Sequence, residues 1–98
     1  MNWRVEIKHK VAKALKDPRK IPPDVASAVL ALIVQLEVSG PAVNWPHYGK
    51  LRNQGNLIDR RHCHLRRGRP TWVCCWEVEA KLKLVEVYYV GTHEKAPY

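Results

Sequence analysis

Two histidines separated by one residue, His62-Cys63-His64, sit inside the most basic stretch of the chain. Alternate residues of a strand share a face, so the two imidazoles point the same way. An unperturbed imidazole titrates near pH ~6.5 and can give or take a proton in neutral water. From Lys50 to Arg69, twenty residues hold seven Lys or Arg, two histidines and a single acid, Asp59. Six of the seven are arginines, namely Arg52, Arg60, Arg61, Arg66, Arg67 and Arg69. Their planar forks suit bidentate contact with phosphate oxygens better than a lysine point charge does. A charge run is ordinarily a solvated face. This one encloses histidines, and the reading is a surface for RNA.

Other chemistries fit less well. His62-Cys63-His64 and Cys74-Cys75 lie about ten residues apart, but adjacent cysteines point to opposite faces of a strand and no Cys-x-x-Cys spacing exists, so no metal site is expected. Trp72 and Trp76 bracket the cysteine pair, which suggests a buried structural thiol rather than a nucleophile. Of the four tryptophans, Trp3, Trp72 and Trp76 fall on strand patterns and are expected in the core. Trp45, between Asn44 and Pro46, is the one expected in a loop where it could stack on a base. The last residues, Gly91 to Tyr98, bring His93 to a sheet end and close on Tyr98.

The whole chain frames these groups. Its 98 residues allow one domain, 1–98, and one hydrophobic core. A composition 46% hydrophobic and 27% charged is that of a folded chain, not a disordered one. Seventeen Lys and Arg against nine Asp and Glu give a net charge of +8 and a pI of about 9.7, which predict a polyanionic partner. The longest apolar run, Val25 to Val34, is interrupted by Ser27 and falls short of the ~20 residues that span a bilayer, so no membrane is involved. Met1 to Glu6 alternates rather than forming an apolar signal core, and three cysteines with two adjacent suit a reducing compartment. Both point to the cytoplasm.

The elements that position the basic segment follow from periodicity. Trp3, Val5 and Ile7 alternate with charged residues and predict a strand. His9 to Lys16 takes helical spacing until Asp17-Pro18 closes it. Pro22-Pro23-Asp24 starts a longer helix, to about Val38, whose Val25, Val29, Leu32, Ile33 and Leu36 form one apolar stripe. Ser39-Gly40-Pro41 stops it. Pro41 to Gly55 reads as a structured loop with a short strand near Lys50 to Arg52. Leu57 to Leu65 alternates imperfectly, Arg66-Arg67-Gly68-Arg69-Pro70 makes a basic turn, Thr71 to Glu79 is a strand, and Leu82 to Val90 returns beside it as a hairpin. The expected class is α+β, with two N-terminal helices packed on a three- to four-stranded, mainly antiparallel sheet in the order β-α-α-β-β-β.

Tyr48-Gly49-Lys50-Leu51, His62-Cys63-His64-Leu65, the strand pair after the basic turn, and Gly91-Thr92-His93 together resemble the RelE/ParE superfamily of bacterial toxin-antitoxin toxins, over nearly the whole chain. The RelE branch cuts messenger RNA in the ribosomal A site without a metal or other cofactor, and the resemblance implies that activity here. In that chemistry a ribose 2′-hydroxyl attacks the adjacent phosphate, so a base, a cation for the phosphorane and an acid for the leaving oxygen are needed. The resemblance places a basic position on Lys50, the hairpin histidine on His64, the phosphate-binding arginine on Arg66 or Arg69, and the late histidine on His93. Tyr98 falls where several members end in an aromatic residue. The expected roles are His64 as base, His93 as acid, Arg69 with Arg66 on the phosphate, and Lys50 easing the developing charge. Arg52, Arg60, Arg61, His62, Arg67, Trp45 and Tyr98 are expected to contact RNA. A register slip of two would exchange His62 for His64. A basic turn longer than the family's tight hairpin leaves Arg66 and Arg69 interchangeable. The resemblance also implies a cognate antitoxin as partner. The rival readings are a gyrase-inhibiting toxin of the ParE branch and a plain RNA-binding module.

Overall fold

The computed structural model describes residues 2–52, 54–55 and 57–98. Alternation at the N-terminus yields strand β1, Arg4–Ile7, with Val5 and Ile7 packed on the core and Arg4 and Glu6 paired outside it at 3.5 Å. Helix α1, His9–Leu15, buries Val11. Helix α2, Pro23–Ser39, starts with proline in its first turn and Asp24 beside the positive dipole end, and buries Val25, Val29, Leu32 and Leu36. Ile33, the other member of the expected stripe, is only half-buried. Gly40 ends the helix at φ 85°, where a Cβ would lie 2.8 Å from the indole nitrogen of Trp3. Both the backbone angle and the packing there require glycine.

Four strands follow: β2 (Gly49–Lys50), β3 (Asp59–Arg66), β4 (Trp72–Glu79) and β5 (Leu84–Thr92). A short 3-10 turn, Ala80–Leu82, joins β4 to β5. The sheet order is β1-β5-β4-β3-β2, antiparallel throughout except that β1 runs parallel to β5. The α+β class stands, and the sheet has five strands where three to four were expected. A period-two pattern identifies β1 as a strand without naming its neighbour, and a parallel neighbour needs a crossover, here the whole of α1, α2, β2, β3 and β4. The two residues of β2 are too few to show a period. Among the described residues, no helix is long and apolar enough to cross a membrane.

The helices cover one face of the sheet. There Val11, Leu32 and Leu36 meet Cys63, Cys74, Trp76, Val78, Val85 and Val87, with Ile21, Val25 and Trp72 in an adjoining cluster. Burial pushes the thiols of Cys63 and Cys75 up to about 12 and raises that of Cys74 as well. Buried and protonated, these thiols pack as small apolar side chains. The opposite face carries the side chains of alternate residues, and a bulge in β5 alters it. Cys75 pairs with Tyr89 but Trp76 with Val87, so Tyr88 is an extra residue and both tyrosines reach the helix-free face. Tyr89 lies over Gly91, where a Cβ would clash with its ring.

Candidate active site

Strand β3 divides its residues between the two faces. Cys63 is buried against Cys74 on the helix side, while His62 and His64 stand opposite Cys75 and Val73 on the helix-free side. The basic turn after β3 is closed by the Thr71 hydroxyl donating to the Gly68 carbonyl at 3.0 Å. The N–H of His93 donates to the carbonyl of Thr71 at 2.8 Å, which ties the end of β5 to the start of β4. With the β3–β4 pairing, these bonds bring His64 of the basic segment and His93 of the C-terminal region to one place. His64, Gly68, Arg69, Pro70, Thr71, His93 and Glu94 line an open groove of about 660 Å³. The rings of His64 and His93 meet edge to face with centroids 5.6 Å apart.

A third imidazole completes the group. His47 stacks on His64 with centroids 4.2 Å apart, and the His64 N–H donates to the carbonyl of Pro46 at 2.8 Å. His47 was not singled out from the sequence, where it lay in an irregular loop. The β2–β3 register explains its place. Gly49 faces His62, so two residues back along one strand and two forward along the other set His47 opposite His64. Its φ of 57° lies in the left-handed region, which is uncommon for a residue other than glycine. His62 holds the far side of the group, its Nδ1 3.2 Å from the Gly49 carbonyl and its ring 5.0 Å from that of Tyr98. Tyr98 in turn lies 6.0 Å from His93.

Burial is the first cause lowering the pKa of both His62 and His64, and neighbouring cations add to it, His47 foremost for His64. A His64 held below the ordinary 6.5 is neutral at pH 7 and has a free lone pair to accept a proton. Burial also raises the Tyr98 phenol, which stays protonated. The rings lie stacked or edge-on, and among the described residues no three His, Cys, Asp or Glu side chains are placed to share one metal ion.

The chain aligns in three dimensions with a chain of the archaeal RelE-RelB complex from Pyrococcus horikoshii OT3 at a TM-score of 0.74 and 22% identity, covering 98% of this chain and all (100%) of that one. The chain has the RelE-like fold. A metal-bound toxin from Helicobacter pylori aligns at a TM-score of 0.65 and 22% identity, over 97% of this chain and 98% of that one. No protein-family model and no curated protein matches at the level of sequence. The RelE-like arrangement is therefore a likeness of backbone, and the site has to be argued from its own side chains.

The expected site residues separate into two groups. His64, His93 and Arg69 share the groove, Arg67 is exposed on the same turn, and its charge reaches His64. His62 and Tyr98 border them. The others stand elsewhere. Arg66 does not enter the groove, because it is paired with Trp72 on the helix side and its Nη1 donates to both carboxylate oxygens of Asp24 at 2.8 and 3.0 Å. Lys50 is likewise away from the histidines. It pairs with Arg61 across the β2–β3 ladder, and its Nζ faces Asp59 at 3.9 Å. Arg61 binds Asp59 through two nitrogens, at 2.9 and 3.1 Å, and the Tyr48 hydroxyl at 2.9 Å. Arg60 donates to Glu77 at 2.9 Å and lies 4.9 Å above the Tyr88 ring. Arg52 is exposed. Trp45 is no free stacking platform, since it packs on the core and its indole N–H donates to Gln35 of α2 at 2.8 Å.

Proposed function

We propose that this chain is the toxin of a toxin-antitoxin system, a cytoplasmic endoribonuclease that cuts messenger RNA on the ribosome by metal-independent acid–base catalysis. The observation that carries the catalytic part is that His64, His93 and Arg69 line one groove, with the two imidazole rings in edge-to-face contact. The dependence on the ribosome and the cognate antitoxin rest on the likeness to RelE-like toxins.

In this reading a phosphodiester lies in the groove. Neutral His64 takes the proton of the ribose 2′-hydroxyl as its oxygen bonds to phosphorus. Arg69, with Arg67 on the same turn, faces the equatorial oxygens where negative charge grows. The 5′-oxygen leaves with a proton from His93, which gives a 2′,3′-cyclic phosphate and a free 5′-hydroxyl. His47 takes no proton in this sequence. Stacked on His64, it holds the ring in place and disfavours its charged form. Tyr98, bordered by His62 and His93, offers a ring on which a flanking base can stack.

The test is induction of the gene followed by primer-extension mapping of cellular messages, with plasmid supercoiling measured in parallel. Cuts within translated frames that vanish in His64→Ala and His93→Ala are the expected result. Unbroken messages with relaxed supercoiling would replace this reading by a gyrase-inhibiting toxin. Growth inhibition that survives both substitutions would replace it by a binding module.

A further inference from the structure

One side chain in the histidine groove has no part in the cleavage steps. Glu94 lines the groove together with His64, Arg69 and His93. A carboxylate in a groove that receives a phosphodiester repels it, and that cost calls for a return. Glu94 is exposed and has no ion-pair partner among the described residues, although Arg69 borders the same groove. It therefore neither neutralises the phosphate-binding arginine nor ties two elements together.

The other groups of the groove are committed. The two imidazoles move protons, Arg69 faces the phosphate, and the Thr71 hydroxyl donates to the Gly68 carbonyl at 3.0 Å. Gly68 and Pro70 offer no side-chain donor or acceptor. Glu94 is left with both oxygens free to accept from a ligand.

Its place in the chain says which part of the ligand it meets. Glu94 follows His93 in the 3-10 turn His93–Lys95 that leaves β5. His93 protonates the leaving 5′-oxygen, so the residue beside it stands by the nucleotide that carries that oxygen, the one 3′ of the cut. Tyr98, 6.0 Å from His93, offers a stacking face, but every base has a face to stack and Tyr98 cannot choose among them. A contact to a base edge can. A carboxylate accepts through both oxygens and donates nothing. Guanine alone presents two adjacent donors, N1–H and the N2 amino group, on its Watson–Crick edge. Adenine and cytosine set a bare ring nitrogen beside their amino group, and uracil sets its N–H between two carbonyls, so each of these turns an acceptor toward a carboxylate oxygen.

We propose that Glu94 selects guanine as the nucleotide 3′ of the scissile phosphate, accepting the N1 and N2 hydrogens through its two carboxylate oxygens. The inference rests on the nuclease reading and adds to it the base that the groove prefers.

The experiment adds the purified full chain to a translation extract supplied with messages of mixed sequence, and sequences the fragments that begin with a 5′-hydroxyl. The first base of each such fragment is the one 3′ of the cut, and His64→Ala gives the background. Guanine-first ends should exceed those of each other base by about tenfold or more once base frequency is divided out, the discrimination expected of one bidentate contact. Glu94→Gln exchanges one acceptor for a donor and matches the N1 and N6 groups of adenine, so the excess should pass from guanine to adenine. Glu94→Ala should level the four bases. The readout is a ratio among ends, so a general change in rate does not enter it, and a thermal melt checks that the variants fold. A wild-type distribution without a guanine excess, or an excess that both variants keep, would overturn the proposal. So would variants that cut more often at all four bases alike, because the carboxylate would then only be repelling phosphate. Wild-type ends no more numerous than those of His64→Ala would overturn the nuclease reading itself, and this inference with it.

Discussion

Six of the seven cations between Lys50 and Arg69 fall into two populations with different work. Along β2 and β3, Lys50, Arg60, Arg61 and Arg66 each face a carboxylate, in Asp59, Glu77 or Asp24. Past the end of β3, Arg67 and Arg69 are exposed and have no ion-pair partner among the described residues. The strand cations stitch edges: Arg61 joins β3 to the loop carrying Tyr48, and Arg66 joins β3 to the start of α2. The turn cations are left to meet something from outside. Charge density along a sequence counts both kinds alike, and only the position of nine acids across the fold separates them.

The sharpest way to break this division is to remove one member of each population and read activity and stability separately. Arg69→Ala should lower the rate of RNA cleavage by about 100- to 1,000-fold, the usual loss for one group stabilising a transition-state oxyanion, with the melting temperature unchanged. Arg61→Ala should do the reverse. Its side chain is only 16% exposed and its loss leaves Asp59 and the Tyr48 hydroxyl short of a donor, so about 1–3 kcal/mol of stability should go in a urea titration. A cleavage defect in Arg61→Ala as deep as that of Arg69→Ala would show that strand arginines also touch RNA.

The same division explains how much could be read beforehand. His64 and His93 were singled out by the resemblance to RelE-like toxins, which also narrowed the phosphate arginine to Arg66 or Arg69. The helix-forming stretches and β3, β4 and β5 were legible from their period. His47 was not, because its place depends on a two-residue strand whose register is set by pairing across a loop. Nor could Arg66 be told from Arg69. A register shift between His64 and Arg66 turns Arg66 to the helix side, and bulges leave no mark in the pattern of polar and apolar residues. Trp45 misled because a tryptophan in an irregular stretch reads as free, whereas the stretch itself lies against α2.

His47 supplies a subtler test. Burial and then the His47 charge hold the His64 pKa below 6.5, so the base is neutral above that lowered value and activity falls only as pH drops through it. The acid limb of the kcat/KM profile should therefore lie below pH 6.5. His47→Gln removes a cation and part of the cover together, both of which raise the His64 pKa, and the limb should move up toward 6.5. A residue that merely filled space would leave the limb where it was. The change should also be visible in stability: His64 binds its proton more readily unfolded than folded, so the chain loses stability as pH falls through the unfolded value near 6.5, and His47→Gln should lose less.

The smallest effect carries the finest distinction. Arg66 and Asp24 are 38% and 60% exposed, and an ion pair that open to water contributes about 0.2–1 kcal/mol. Arg66→Ala and Asp24→Asn should each cost that little, the double variant should cost no more than either alone, and RNA cleavage should continue at its normal rate. Coupling of this kind would assign Arg66 to the seam between β3 and α2. If Arg66→Ala instead stopped cleavage while Asp24→Asn quickened it, the carboxylate would be acting as a brake on an arginine that turns to the phosphate, and the boundary between the two populations would have to move back by one strand residue.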